Sequence, residues 1–108
     1  MTANKLAFLA DLEQVIQERI DNPSQESYTS NLIARGAKRV AQKVGEEGVE
    51  LALASVDGPD DEVLDEAADL IYHLLVLLRT RSLSLADVAV VLESRHAGQA
   101  VRPGSPLP

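Results

Sequence analysis

Two long stretches with helical recurrence of apolar residues, joined by the short turn Asp57-Gly-Pro-Asp60, constrain this chain more than any other feature. The first carries Leu32, Ile33, Val40, Val44, Val49, Leu51, Leu53 and Val56 at largely helical spacings. The second, over 61–79, carries Val63, Leu64, Ala67, Ala68, Leu70, Ile71, Leu74, Leu75 and Leu78. Such spacing lines up one face of a helix. A turn this short makes the two helices antiparallel neighbours. The second half of 61–79 is apolar nearly all round, as in a helix buried in a bundle or at an interface.

The rest of the chain fits the same architecture. Leu6, Leu9, Leu12, Val15, Ile16 and Ile20 give a helix over 5–20, stopped by Asp21-Asn-Pro-Ser. Ser27 or Thr29 can cap the next helical region. A bend or break is expected near Gly36, since a glycine costs about 1 kcal/mol relative to alanine inside a helix. Asp60 or Asp61 can cap the helix over 61–79. A last helix runs from about Ser84 to Arg95, with Ser84 as cap and Asp87 three residues on. No strand-like alternation is present. The expectation is an all-α bundle of four to five helices over 1–96, with a proline- and glycine-rich, disordered tail over 97–108.

Composition removes several classes of function. With no Cys, the chain can hold neither a disulfide nor a thiolate-ligated zinc or iron–sulfur site. A net charge of -7 argues against a nucleic-acid partner, which would call for a basic stripe. No apolar run is longer than the five residues of Leu74 to Leu78, too short for a bilayer, and Met1-Thr-Ala-Asn-Lys lacks the pattern of a signal peptide. No membrane partner and a cytoplasmic location are expected. A chain of 108 residues buries only about 60–65% of its unfolded surface, which makes a homodimer attractive.

The charge is unevenly placed. Between Val44 and Leu78 there are ten of the seventeen acids and no Lys or Arg. Glu47 and Glu50 are three apart, Glu46 and Glu50 four apart, and Glu66 and Asp69 three apart, so each set shares a helical face. Counted outward from the turn, the two patches lie at similar heights. Asp69 opens directly into Leu70-Ile71, so an acid is expected to border the core, where it must be paired, protonated or metal-bound. An array of oxygen ligands without sulfur suits Mg²⁺, with Mn²⁺ as a substitute. A solvated acidic face is the alternative, and it is the better reading of Glu62 and Asp65 near the helix start.

Basic residues lie beside this array. Lys43 is four before Glu47, Arg39 four before Lys43, and Arg79, Arg81 and Arg95 follow. A polyphosphate ligand would use such cations for its outer oxygens; solvated charges and local ion pairs are the alternative. His73, four after Asp69, is read as a satisfied core or interface residue, or else as a group that orients a carboxylate. Tyr28 either stacks on a base or caps the core.

Lys43-Val-Gly-Glu-Glu-Gly-Val-Glu50 and Asp65-Glu-Ala-Ala-Asp-Leu-Ile-Tyr-His-Leu-Leu-Val-Leu-Leu78, with Ser27-Tyr-Thr-Ser-Asn-Leu, Gly36 and Arg95, resemble the phosphoribosyl-ATP pyrophosphohydrolases. These belong to the wider all-α nucleotide pyrophosphohydrolases with ExxE and ExxD motifs. The resemblance covers about residues 5–96. It implies Mg²⁺-dependent hydrolysis of phosphoribosyl-ATP to phosphoribosyl-AMP and pyrophosphate, the second step of histidine biosynthesis, by a cytoplasmic enzyme that is at least dimeric. It places the metal on Glu47, Glu50, Glu66 and Asp69. Glu46 would bind metal or position water, Glu46 or Glu47 would take the water's proton, and Lys43, Arg79, Arg95 and Tyr28 are the candidate substrate contacts. Gly48 departs from the alanine common there, without loss of a functional group. A related cyclohydrolase domain found fused in some members needs cysteines and length absent here.

Overall fold

A computed structural model of the chain describes residues 4–98. After one 3-10 turn, Lys5–Ala7, five helices follow: α1 Phe8–Asp21, α2 Tyr28–Ala34, α3 Ala37–Asp57, α4 Asp60–Thr80 and α5 Leu85–His96. No strand occurs among the described residues. The fold is all-α, as the periodicity requires.

The breaks have local causes. Ser27 caps α2 by accepting from the Ser30 N–H. Gly36 separates α2 from α3 with φ at 100°, a left-handed conformation that a side chain would strain. The α3–α4 turn is equally restrictive for a different reason: a Cβ on Gly58 would come 2.7 Å from the Ala54 carbonyl oxygen. Helix α5 begins with a full capping box, in which Ser84 and Asp87 bond each other's backbone. The expected cap of α4 by Asp60 or Asp61 does not form. Pro59 stands at the cap without a side-chain bond, and Asp61 accepts instead from the N–H of Glu62. Glu93 and Arg95 carbonyls receive the Ala97 and Gly98 N–H groups. The tail expected over 97–108 otherwise lies outside the described residues.

The core is small and lies at one end of the α3–α4 hairpin. Ile16 of α1, Leu32 of α2, Val40 of α3, and Leu75 and Val76 of α4 form one buried cluster. Burying each such side chain contributes about 1.5–3 kcal/mol. The end nearer the turn is different: Val49, Leu53 and Val56 of α3 and Leu64 of α4 stay exposed, Val56 by 81%. Cover over α4 therefore stops near His73, which is buried, and Asp69 is exposed. The acid that borders the core is not Asp69 but Glu47, with 5% exposure. The reason is that the buried cluster draws on only the C-terminal half of α4.

Candidate metal centre

The site is assembled from the middle turns of α3 and α4. Both helices run 21 residues without interruption, α3 passing through Gly45 and Gly48, whose missing side chains leave open space. Antiparallel packing brings one carboxylate oxygen from each of Glu47, Glu66 and Asp69 within 4.8 Å of one another. Glu50 lies beside them, close enough to act on the carboxyls of both Glu47 and Glu66. A groove of 300 Å³, lined by Glu50, Glu62, Glu66 and Asp57 with Leu53 and Ala54, runs from these acids toward the turn.

The electrostatics divide the acids into two kinds. Lys43 Nζ lies 2.9 Å from Glu47 Oε1, one helical turn away. Its hydrogen bond holds the Glu47 carboxyl below its ordinary range against the opposing effect of burial, and raises the Lys43 ammonium in turn. Glu66 goes the other way: loss of solvent, then neighbouring Glu50, then Asp69 and Glu47, raise its carboxyl. Glu47 Oε2 and Glu66 Oε2 are both buried without a hydrogen-bond partner. Buried carboxylate oxygens left unpaired are costly, and a hard cation would satisfy both at once. The donor set is all oxygen, as Mg²⁺ and Mn²⁺ prefer. The residues present thus fit such an ion.

The other expected site residues are distributed around this cluster. Glu46 is turned to cations, with Arg39 Nη1 at 3.3 Å and Lys43 Nζ at 3.7 Å. Tyr28 donates its hydroxyl hydrogen to His73 Nε2 at 2.8 Å, since His73 Nδ1 must donate to the Asp69 carbonyl at 2.7 Å. His73 is thus a buried, satisfied histidine that braces the turn carrying Asp69; its contact is with the backbone and not with the carboxylate. Arg79 is not brought to the acids. Its Nε and Nη2 donate to Gln17 Oε1 and its Nη1 to the Leu83 carbonyl, which ties α1 to the far end of α4. Arg95 is half-buried, with its Nε enclosed and without a partner, and forms no ion pair with the cluster among the described residues.

Sequence reasoning missed Tyr72 and Arg19. Tyr72 bonds Thr29 through its hydroxyl and, with Arg19, lines a cleft next to Tyr28. Arg19 lies on α1, outside every motif segment, and nothing in the local pattern marks it.

The family model for phosphoribosyl-ATP pyrophosphohydrolase matches residues 9–96. The chain belongs to this family. Among curated relatives, the histidine biosynthesis bifunctional protein HisIE of Xylella fastidiosa is 58% identical over 89 residues, which are 82% of this chain and 43% of that protein. The protein of the same name from Photobacterium profundum is 55% identical over 91 residues, 84% of this chain and 44% of that protein. That of Vibrio cholerae is 50% identical over 93 residues, 86% and 44% respectively. The chain spans less than half the length of these relatives. The matched segment contains both helices that carry the acids.

Proposed function

We propose that this chain hydrolyses phosphoribosyl-ATP to phosphoribosyl-AMP and pyrophosphate with Mg²⁺, as the second step of histidine biosynthesis in the cytoplasm. Membership in the family supports the substrate. The observation that carries the chemistry is the convergence of Glu47, Glu66 and Asp69 within 4.8 Å, with two buried carboxylate oxygens unpaired.

Glu47, Glu50, Glu66 and Asp69 would hold the ion, which when bound supplies charge neutralisation at the phosphates and a more acidic water. The chain's own residues do the rest. Lys43 keeps Glu47 ionised through Oε1 and leaves Oε2 free for the cluster. His73 pins the Asp69 turn through the backbone carbonyl. Water attacks phosphorus at the α–β linkage, pyrophosphate leaves, and the water's proton passes to a cluster carboxylate. Glu46, partly neutralised by Arg39 and Lys43, is less suited to that than the acids facing the groove. Lys43 and Tyr28 remain the expected substrate contacts nearest the cluster. Arg79, hydrogen-bonded to Gln17, is left out of the substrate contacts in this reading.

A homodimer belongs to this reading. Val49, Leu53 and Val56 recur at helical spacing along one exposed stripe of α3, and Leu64 is exposed on α4. Exposed apolar side chains recurring on one helix face suit an interaction face, and a second copy would cover them.

The test is pyrophosphate release from purified phosphoribosyl-ATP with and without Mg²⁺. Glu50→Ala and Asp69→Ala should each reduce turnover by about 100-fold or more, equivalent to roughly 2.7 kcal/mol of barrier, with the helical content kept. Near-normal release by both variants would overturn the assignment.

A further inference from the structure

A cleft of 510 Å³ opens between α1, the α1–α2 loop and α4, apart from the acidic groove. Its walls carry Arg19, Glu26, Tyr28, Tyr72 and the hydroxyl residues Ser24 and Thr29. The volume lies within the roughly 300–1,000 Å³ usual for small-molecule sites.

The cleft is joined to the candidate metal centre by a short, fixed path. Tyr28, in its wall, donates to His73, and His73 donates to the Asp69 carbonyl. One imidazole ring and two hydrogen bonds separate the two. Tyr28 also lies close enough to Lys43 to act on its charge. The frame is held in place by Ser30 Oγ, which donates to the Arg19 carbonyl and ties α2 to α1, and by the Thr29–Tyr72 hydroxyl contact.

The lining chemistry is specific. Arg19 supplies a guanidinium whose ion pair, 2.6 Å to the adjacent Glu18, is solvent-exposed on both sides. Such an exposed pair is weak and yields readily to a stronger anion. Guanidinium matches a phosphate in two-point geometry. Glu26 offers a carboxylate that accepts from vicinal hydroxyls. Tyr28, 54% exposed, and Tyr72, with ring centroids 6.3 Å apart, offer aromatic faces. Cation, carboxylate and aromatic surface together are complementary to a phosphorylated pentose attached to a ring.

We propose that this cleft is a second subsite that binds the ribosyl 5-phosphate end of the substrate, with Arg19 on the phosphate and Glu26 on the ribose hydroxyls, while the triphosphate end lies at the carboxylates. This rests on the functional reading above and adds to it the residues that select phosphoribosyl-ATP over a plain nucleoside triphosphate.

The test compares wild type with Arg19→Ala and Glu26→Gln in the presence of Mg²⁺, using phosphoribosyl-ATP as substrate and ribose 5-phosphate as probe. Arg19→Ala should raise KM at least about 10-fold with kcat within about twofold, and weaken calorimetrically measured ribose 5-phosphate binding by a similar factor. Glu26→Gln should weaken the same binding by a smaller factor. Unchanged KM and unchanged ribose 5-phosphate binding in Arg19→Ala, with the melting temperature preserved, would overturn the subsite. If wild type bound ribose 5-phosphate in an Arg19-dependent way but released no pyrophosphate from phosphoribosyl-ATP, the subsite would stand and the functional reading would fall. Should Arg19→Ala not fold, Arg19→Gln replaces it, because the contact that builds the frame runs through the Arg19 backbone carbonyl.

Discussion

Glu47 and Glu66 face each other across two helices and are pushed in opposite directions, one by a lysine and the other by lost solvent and neighbouring acids. Their spacing in sequence was enough to bring them together. Which of them is buried was not legible, because burial depends on where α1 and α2 stop covering α4. Asp69 stands beside apolar residues in sequence and is exposed in space; Glu47 stands between Glu46 and Gly48 and is buried. The raised carboxyl of Glu66 has a definite pH consequence. Its protonated form favours the fold below the ordinary value of 4.5, and that contribution is lost as pH rises through the higher folded value. Glu66→Gln keeps the neutral form at all pH values. Without Mg²⁺ it should melt at a higher temperature than wild type at neutral pH, and the difference should shrink as the medium is acidified through that range. Mg²⁺ should raise the melting temperature of wild type and leave that of the variant unchanged. Thermal melts at neutral and acidic pH, with and without the ion, check both effects; a full Mg²⁺ response in the variant would remove Glu66 from the ligand set.

At the scale of elements, turn and cap chemistry was readable where a single residue decides it. Gly36 divides α2 from α3, Ser27 caps α2, and Ser84 with Asp87 starts α5. The start of α4 was misread because two aspartates and a proline compete for one cap, and the proline takes the position. Gly48 shows the limits of propensity. It sits in the middle of α3, and a Cβ there would meet nothing within 4 Å, yet the helix continues through it. Packing against α4 outweighs its cost. Gly48→Ala should therefore add about 1 kcal/mol of stability, raising the melting temperature by about 4–8 °C, with turnover within about twofold of wild type. Calorimetry and the pyrophosphate assay check the two halves. A fall in stability would mean that a partner approaches α3 at this point.

For the molecule as a whole, the all-α architecture and the antiparallel hairpin were legible from periodicity and one turn. The cleft around Arg19 was not, since it joins residues of α1, the loop and α4 that no local pattern connects. The exposed stripe on α3 was legible only as apolar positions, without any sign that the monomer leaves them uncovered. Leu53, 66% exposed at the centre of that stripe, is the place to probe it. Leu53→Asp should shift the sedimentation of the protein from dimer to monomer and reduce turnover, while leaving the core of Ile16, Leu32, Val40, Leu75 and Val76 intact. Dimer retained at micromolar concentration would place the interface elsewhere.

The ion pair between Lys43 and Glu47 bears on the order of events in the life of the chain. The most buried acid carries a resident counter-charge one turn away on its own helix, present as soon as α3 forms. The polypeptide can therefore complete its fold before any divalent ion arrives. Under the proposed Mg²⁺-dependent function, a cell short of magnesium would lose the turnover of such a protein while its shape persisted, and work would resume when supply returned without the protein having to be made again.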